Sequence, residues 1–313
     1  MNNSPAFIAV LIMAMIVWGV SWPVGKMISS LGDTSVIVFW RFALGAIGIL
    51  PVLLWQKHRI AIFRKEQVYA GLGGLLLALY NWFFFEGLLD GFPGKAGVLV
   101  TTLNPPLTFL VAAVFFRQNI ARHQYTGLAL GLLAGVLLLE LWRYDASFFA
   151  KGGNLFFLGC SLCWAFVSLA GQQFTRLSSR SKKDQRSATA LTFTFWTFVV
   201  CALVTLPVAI TAKTFIPHDT QFWILIFFLS IITNSFATMV YFVATQKLGA
   251  SLASAFIFLV PVSNVIVSWF WLNETPLWNT IAGGCIAVLS VWILKKKSPE
   301  MPKITERQIG AGV

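Results

Sequence analysis

The sequence predicts an all-α integral membrane protein in which ten transmembrane helices form two inverted five-helix repeats. The 313-residue chain is 58% hydrophobic and only 11% charged, whereas soluble proteins carry about 25% charged residues. Its apolar runs are roughly 20 residues long, the length of helix that crosses a hydrocarbon core of ~30 Å. Pro105 and Pro261 lie 156 residues apart, as do Gly127 and Gly283. We therefore expect one half of the chain to repeat the other.

Ten spans follow one another, and the gaps between them are too short for an extramembrane domain. The first span lacks a preceding basic stretch and is longer than the core of a signal peptide, so we interpret it as a retained helix. The predicted spans are Ala6–Gly25, Thr34–Trp55, Val68–Leu89, Ala96–Phe116, Gln124–Trp142, Gly153–Phe174, Ala188–Thr211, Gln221–Thr245, Ser251–Leu272 and Leu277–Leu294.

The basic residues predict the orientation of these spans. Of the 23 Lys and Arg residues, 17 fall in the loops on one side and five on the other, and Arg41 lies inside a span. The positive-inside rule then places both termini in the cytoplasm. Five spans per half is an odd number, so the second half enters the membrane inverted. We predict repeats over residues 1–145 and 146–297, followed by a short cytoplasmic tail, 298–313.

The first and sixth spans open the two halves with matching residues, Trp18 and Ser21 in one and Trp164 and Ser168 in the other. Aromatic walls with a few polar groups are typical of small-molecule pockets, so we predict that these four residues bind substrate. In the alternative interpretation, tryptophans face lipid or headgroups and serines hydrogen-bond neighbouring helices.

The second and third spans carry the two charges that are most costly to bury, Arg41 and Glu86. An arginine at the centre of a helix costs roughly 2.5–3.5 kcal/mol on insertion scales, so neither charge is expected to face lipid. One hypothesis pairs the two and locks adjacent helices. The other lets Arg41 bind a substrate carboxylate and makes Glu86 a proton site.

Buried-depth amides and one tyrosine add further substrate-binding candidates. Tyr80 and Asn81 lie in the third span and Asn234 in the eighth. Amide side chains in a bilayer hydrogen-bond either a ligand or another helix. Both interpretations stay open for them.

The fourth and ninth spans are interrupted by proline, at Pro105, Pro106 and Pro261. Each proline removes a backbone donor and frees a carbonyl, which a polar group or a ligand has to satisfy. Such breaks at matching positions of two halves indicate the binding site of a carrier, unless neighbouring helices satisfy the kinks. The polar residues beside them, also predicted to bind substrate, are Thr101, Thr102, Asn104 and Asn264.

Two further patterns concern packing and cofactors. Gly127, Gly131 and Gly135 recur every fourth residue, which lets another helix approach closely, either within the chain or in a homodimer. Both a monomer and a homodimer are therefore open. Cys160 and Cys163 have no second pair and no nearby histidine, so we expect free thiols, no metal and no cofactor.

Three short motifs resemble the EamA family of the drug/metabolite transporter superfamily: Trp18-Gly19-Val20-Ser21, Trp40-Arg41-Phe42, and Pro261 followed by Trp271-Leu272-Asn273-Glu274. The resemblance covers roughly residues 6–296 through the five-plus-five layout. It implies a carrier of small metabolites, and many such proteins export amino acids. In the first half Gln118 stands where Glu274 stands in the second, so a pair of equivalent acids is missing.

We therefore expect a secondary transporter, and not an enzyme, that exports an amino acid or a related compound by alternating access around a central cavity. Its expected location is the inner (cytoplasmic) membrane of a prokaryote. A net charge of +12 scattered over short loops suits anionic lipid headgroups rather than nucleic acid. The alternatives are a membrane receptor or accessory protein, and a drug or nucleotide-sugar carrier of the same fold.

Overall fold

The computed structural model describes residues 5–56, 59–90, 93–145, 153–180, 189–263 and 278–295, and every regular element in these ranges is a helix. An apolar environment offers backbone groups no water to bond, and a helix pairs them within one segment. The helices of the first half are α1 (Pro5–Ser29), α2 (Thr34–Trp55), α3 (Arg64–Asp90), α4 (Pro93–Phe116) and α5 (Arg122–Leu139).

The second half contains five more helices within the described ranges. They are α6 (Asn154–Arg180), α7 (Ala190–Ala209), α8 (Thr220–Leu248), α9 (Ala250–Ser263) and α10 (Trp278–Leu294). Seven of the ten, α1–α4 and α6–α8, are long and apolar enough to cross a membrane, and α9 and α10 are shorter apolar helices. The end of the predicted ninth span, with Asn264, lies outside the described residues.

The predicted end of the fifth span at Trp142 is too late. Helix α5 stops at Leu139 because Glu140 adopts a left-handed conformation with φ of 50°, and a 3₁₀ turn, Leu141–Arg143, follows. The Glu140 side chain accepts hydrogen bonds from Asn279 of α10, at 2.9 Å, and from Arg143, also at 2.9 Å. These contacts fix the chain after α5.

Helix starts and helix contacts relate the two halves. The starts of α2 and α7 are 156 residues apart, and so are those of α3 and α8. Helix α2 packs on α7, and α5 packs on α10. Helix α3 packs on α6 and α7, and its counterpart α8 packs on α1 and α2. Each of these contacts therefore has a counterpart in which the two halves exchange places.

Two helices depart from α geometry in their middle. Helix α8 is a π-helix over Phe228–Thr238, where Ser235 donates to the carbonyl of Ser230, five residues earlier, at 3.0 Å, and to that of Gly45 in α2 at 2.9 Å. Helix α9 tightens to 3₁₀ geometry over Phe256–Leu259. Pro261 lies two residues after this segment and lacks the N–H that an α-helix would bond to the carbonyl four residues earlier.

Candidate functional site

A cavity lies in the middle of the bundle, between α1, α2, α3, α4, α6, α8 and α9. Its volume is about 50 Å³, whereas pockets that hold drug-sized molecules measure roughly 300–1,000 Å³. In this conformation the cavity is therefore contracted, and a metabolite would enter only after the helices move apart.

Arg41 of α2 places a guanidinium group in the wall of this cavity, with 7% of the residue exposed. Its Nε donates to Oδ1 of Asn234 at 3.3 Å, and its Nη1 donates to Oδ1 of Asn81 at 3.1 Å. The guanidinium carbon also lies 5.7 Å from the ring centre of Phe42 and 5.8 Å from that of Phe84. Among the described residues no carboxylate forms an ion pair with it.

The two amides that hold Arg41 are themselves fixed by backbone. Nδ2 of Asn81 donates to the Leu77 carbonyl at 2.9 Å, one turn earlier in α3. Nδ2 of Asn234 donates to the carbonyl of Arg41 itself at 3.4 Å. Both amide oxygens therefore point at the guanidinium group, and Arg41 is held between α3 and α8.

The π segment of α8 supplies three residues of the cavity wall, Thr233, Asn234 and Thr238. Residues five apart lie over one another in a π-helix, so Thr233 and Thr238 stack on one face with Asn234 beside them. The Thr238 hydroxyl donates to the Thr233 carbonyl at 3.2 Å, in this same register. The π geometry thus gathers the polar residues of α8 on the cavity side.

Aromatic rings form the rest of the wall. Trp18 and Trp164, from the first helix of each half, meet edge to face with ring centres 5.1 Å apart. Tyr80 lies 5.4 Å from Trp164, and Tyr241 contacts both tryptophans at 5.1 and 5.3 Å. The rings of Trp18, Tyr80 and Trp164 line the cavity and give one side of it an apolar, electron-rich surface, whereas Tyr241 is not among the lining residues.

Three polar atoms of the wall have no hydrogen-bond partner, Oδ1 of Asn104, Nε1 of Trp164 and Oγ1 of Thr233. All three residues are almost fully buried, at 3%, 6% and 1% exposure. An unpaired buried polar atom costs about 1–3 kcal/mol. A polar ligand in the cavity would relieve that cost.

Nine of the residues that the sequence predicts to bind substrate line the cavity, although their function is not decided by this position. They share burial depth in apolar helices and come from both halves of the chain. They are Trp18, Ser21, Arg41, Tyr80, Asn81, Thr101, Asn104, Trp164 and Asn234.

Of the other three predicted binding residues, Thr102 and Ser168 lie outside the cavity wall, and Asn264 lies outside the described residues. Thr102 packs against α5, where a Cβ atom on Gly135 would lie 2.2 Å from its methyl carbon. Ser168 donates to the Trp164 carbonyl at 2.8 Å, and its oxygen lies 2.7 Å from the Tyr241 hydroxyl oxygen. Both side chains are therefore used in helix packing outside the cavity wall.

The predicted pair of Arg41 and Glu86 is wrong. Glu86 lines a second cleft, at the end of α3, together with Asp33, Trp82 and Lys213, while Arg41 is bonded to two amides. The physical reason is rotation of α3, which directs Asn81 inward and Glu86 towards this outer cleft. The cleft measures about 580 Å³.

Pro105 and Pro106 leave their helix less disrupted than the sequence suggests. Helix α4 continues through Pro105 and Pro106, and neither residue lines the cavity. The hydroxyl of Thr101 donates to the Gly97 carbonyl at 2.6 Å, and that of Thr108 to the Asn104 carbonyl at 2.8 Å. These bonds lie within α4 on either side of the prolines.

Several wall residues were not predicted, among them Trp22, Phe42, Phe84, Thr233 and Thr238. Phe42 follows Arg41 directly, and Trp22 follows Ser21, so neighbourhood in sequence was an available signal for these two. No sequence signal indicates the π segment that turns Thr233 and Thr238 inward.

The glycine ladder of α5 packs inside the chain. Cβ atoms added at Gly127, Gly131 and Gly135 would lie within 2.5 Å of Leu294, Phe258 and Thr102 respectively. A dimer through this glycine face is therefore contradicted. All four cysteines are unpaired, and no group of three or more potential metal ligands occurs in the described part of the chain.

Comparisons with known proteins concern the family and the fold of the chain. A sequence model of the EamA-like transporter family matches residues 6–140 and 151–295. The uncharacterized transporter YyaM of Bacillus subtilis is 26% identical over 259 residues, which are 80% of this chain and 81% of that protein. An S-adenosylmethionine uptake transporter of Rickettsia conorii is 22% identical, over 87% of this chain and 86% of its own length.

A solved crystal structure supports the same fold. It superposes with a TM-score of 0.73 and covers 94% of this chain and 97% of its own, at 16% sequence identity. At this identity the likeness concerns the fold alone.

Proposed function

The chain belongs to the EamA-like transporter family, and on that premise we propose that it is a secondary carrier for an amino acid or a related compound that bears a carboxylate. It works as a carrier and not as an enzyme. The substrate binds in the central cavity, and the two halves of the bundle rock around it by alternating access.

The observation that carries this proposal is the environment of Arg41. Its guanidinium group is buried in the cavity wall, and no described carboxylate pairs with it. A planar guanidinium matches the two oxygens of a carboxylate with two parallel hydrogen bonds. A substrate carboxylate would supply the charge that the protein leaves unpaired there.

The rest of the wall fits the remainder of such a substrate. The unpaired Oδ1 of Asn104 and Oγ1 of Thr233 accept hydrogen bonds from an amino group. The rings of Trp18, Trp164 and Tyr80 offer contact to an apolar side chain or attract a cationic group. The proposed substrate is thus bound at its carboxylate, its amine and its side chain.

Two inverted five-helix repeats are the architecture we propose for this mechanism. The shared offset of the helix starts supports them, as does the matching set of helix contacts in the two halves. We place the repeats at residues 1–145 and 146–297 and the tail at 298–313. The excess of Lys and Arg in one set of loops supports cytoplasmic termini in an inner membrane.

For the direction of transport we propose export, which rests on the family resemblance. The Rickettsia relatives named for S-adenosylmethionine uptake move that compound in the opposite direction. S-adenosylmethionine itself carries an amino-acid group, so it also fits the proposed carboxylate site. Direction is tested by comparing right-side-out with inverted membrane vesicles.

Counterflow in liposomes tests the proposed substrate class. Liposomes that contain the purified protein are loaded with one labelled amino acid. Competitors are then offered in pairs, and each pair consists of an amino acid and the amine that lacks only its carboxylate. We expect saturable exchange with the acids and little with the amines. Equal exchange of the amines would contradict the carboxylate site, and exchange restricted to drugs or nucleotide sugars would replace the proposed class. No exchange of any solute by folded protein would favour a receptor or accessory function.

A further inference from the structure

Two tryptophans tie each half of the chain to a loop of the other half. The indole N–H of Trp40 in α2 donates to the carbonyl of Phe215, between α7 and α8, at 2.8 Å. The indole N–H of Trp196 in α7 donates to the carbonyl of Ile60, between α2 and α3, at 2.7 Å. The tryptophans are 156 residues apart, and each is the seventh residue of its helix. The acceptors, Ile60 and Phe215, are 155 residues apart, so the two contacts correspond to within one residue under exchange of the halves.

These contacts lie at opposite ends of the packed pair α2 and α7. Trp40 is near the start of α2, and its acceptor Phe215 follows the end of α7. Trp196 is near the start of α7, and its acceptor Ile60 follows the end of α2. The two helices are thus antiparallel, and one contact closes each end.

The first contact is embedded in an aromatic cluster, which we call the Trp40 latch. It consists of Trp40, Phe215, Trp223 and Pro217. The ring of Trp40 lies 5.6 Å from that of Phe215 and 5.1 Å from that of Trp223. Trp223 donates its own indole N–H to the Pro217 carbonyl at 2.8 Å. Two indoles therefore hold the same loop.

The second contact has a different chemistry, and we call it the Trp196 latch. It consists of Trp196, Thr192, Ile60 and Arg59. The hydroxyl of Thr192 donates to the Arg59 carbonyl at 2.8 Å. The Arg59 side chain forms an ion pair with Glu66 at 2.6 Å, and both side chains are nearly buried. This loop is held by two bonds from α7 and by its own ion pair.

The cavity lies between the latches. Phe42 and Phe198, also 156 residues apart, meet with ring centres 5.1 Å apart where α2 crosses α7. This contact marks the position of the pseudo-twofold axis that would relate the two halves. Arg41 lies next to it, one residue from Trp40. Both latches are formed, and the cavity is contracted to about 50 Å³.

We propose that Trp40 and Trp196 are gate residues: each latch closes one mouth of the central cavity, both hold in this contracted state, and only one is released at a time. The inference rests on the proposed alternating access. A single hydrogen bond contributes enough to change a population ratio roughly two- to tenfold. Loss of one indole N–H should therefore favour the state in which the cavity is open at that end. Loss of the Trp40 N–H and loss of the Trp196 N–H should thus shift the population towards opposite open states.

Distances between spin labels test this proposal in full-length protein whose four cysteines are replaced by alanine. One label pair, at Ser30 and Thr214, reports the end of the Trp40 latch. The other pair, at Ala61 and Ser179, reports the end of the Trp196 latch. The variants are Trp40→Phe and Trp196→Phe, which keep a ring and remove the N–H. The control is Trp142→Phe, whose residue is 58% exposed in the 3₁₀ turn after α5.

We expect Trp40→Phe to raise the open population at the Thr214 end two- to tenfold and to lower it at the Ala61 end. Trp196→Phe should do the reverse, and the double variant should return towards the parent. A merely structural role would loosen only the altered end and leave the far end unchanged, which would overturn the proposal. Shifts of the two single variants in the same direction would also overturn the proposal.

A second variant protects the test against poor folding. Thr192→Val removes the hydroxyl that binds the Arg59 carbonyl and keeps the side-chain shape. It should shift both label pairs in the direction of Trp196→Phe, and no shift would count against the Trp196 latch. Failure of the proposed function is recognised separately, because it appears as absent counterflow in the parent protein while the label distances still respond.

Discussion

At the residue scale, the proposed substrate class depends on Arg41. A buried arginine without an acidic partner is costly in a bilayer, and two amide oxygens offset only part of that cost. Neutral amides hold the guanidinium in place while they leave its charge uncompensated. The site is thus oriented for an anion in advance of binding.

Substitution of Arg41 separates charge from geometry. We expect Arg41→Gln to raise the KM for carboxylate substrates roughly 10- to 100-fold, because charge-assisted hydrogen bonds contribute about 1.5–3 kcal/mol. Arg41→Lys should lie between that variant and the parent, since lysine keeps the charge and loses the planar pair of donors. Counterflow kinetics measure both values.

The control for these variants is Arg122→Gln, at the exposed start of α5. It should leave the KM unchanged. An unaltered KM in Arg41→Gln, with unfolding temperatures equal to the parent, would remove Arg41 from the site.

Ser168 provides the opposite expectation, since its hydroxyl group binds the Trp164 carbonyl and Tyr241 outside the cavity wall. Ser168→Ala should lower the free energy of unfolding by about 1 kcal/mol and leave the KM within about twofold of the parent. Thermal unfolding in detergent and counterflow measure the two effects. A large rise in KM without loss of stability would make Ser168 a binding residue.

At the element scale, the departures from α geometry in α8 and α9 both lie beside the cavity. The π segment brings Thr233, Asn234 and Thr238 to the wall, and the 3₁₀ segment of α9 supplies Ile257. π geometry is rare and is found mostly at functional sites. The irregular backbone is thus concentrated where polar groups have to face inward.

Two glycines of α3 offer a matched test of helix packing. A Cβ atom at Gly74 would lie 2.5 Å from Val200 and 3.0 Å from the Thr197 carbonyl of α7. A Cβ atom at Gly71 would have no neighbouring atom within 4 Å. Gly74→Ala should therefore destabilise the protein. Gly71→Ala should be neutral or stabilise it by up to about 1 kcal/mol, because alanine favours the helix. Thermal unfolding compares the two, and equal effects would contradict the close approach of α3 to α7.

At the scale of the whole molecule, the halves are equivalent in framework and different in chemistry. The offset of 156 residues relates Trp40 to Trp196 and Phe42 to Phe198, but it relates Arg41 to Thr197. In the proposed mechanism, the shared framework supplies two ends that open in turn. Arg41 is the one arginine among the described residues of the wall, so we expect a carboxylate substrate to bind there in one orientation.

Labelling of single cysteines tests the proposed orientation of the molecule. In a variant without native cysteines, Thr214→Cys should react with an impermeant maleimide in intact cells. Ala61→Cys should react only after the membrane is permeabilised, because the two loops lie at opposite ends of the bundle. Reaction of both from one side would refute the inverted arrangement, and reversed accessibility would place the termini outside.

The sequence by itself determined the membrane class, most helix positions, the family and half of the residues of the cavity wall. It could do so because apolar length, charge distribution and polar groups in apolar runs are local properties that a bilayer constrains strongly. Only the tertiary structure decided that Arg41 binds Asn81 and Asn234 instead of Glu86, and that Thr102 and Ser168 pack outside the cavity wall. It also decided the π register of α8 and the two tryptophan latches. These depend on the rotation of each helix against its neighbours, which is set by contacts between residues far apart in the chain.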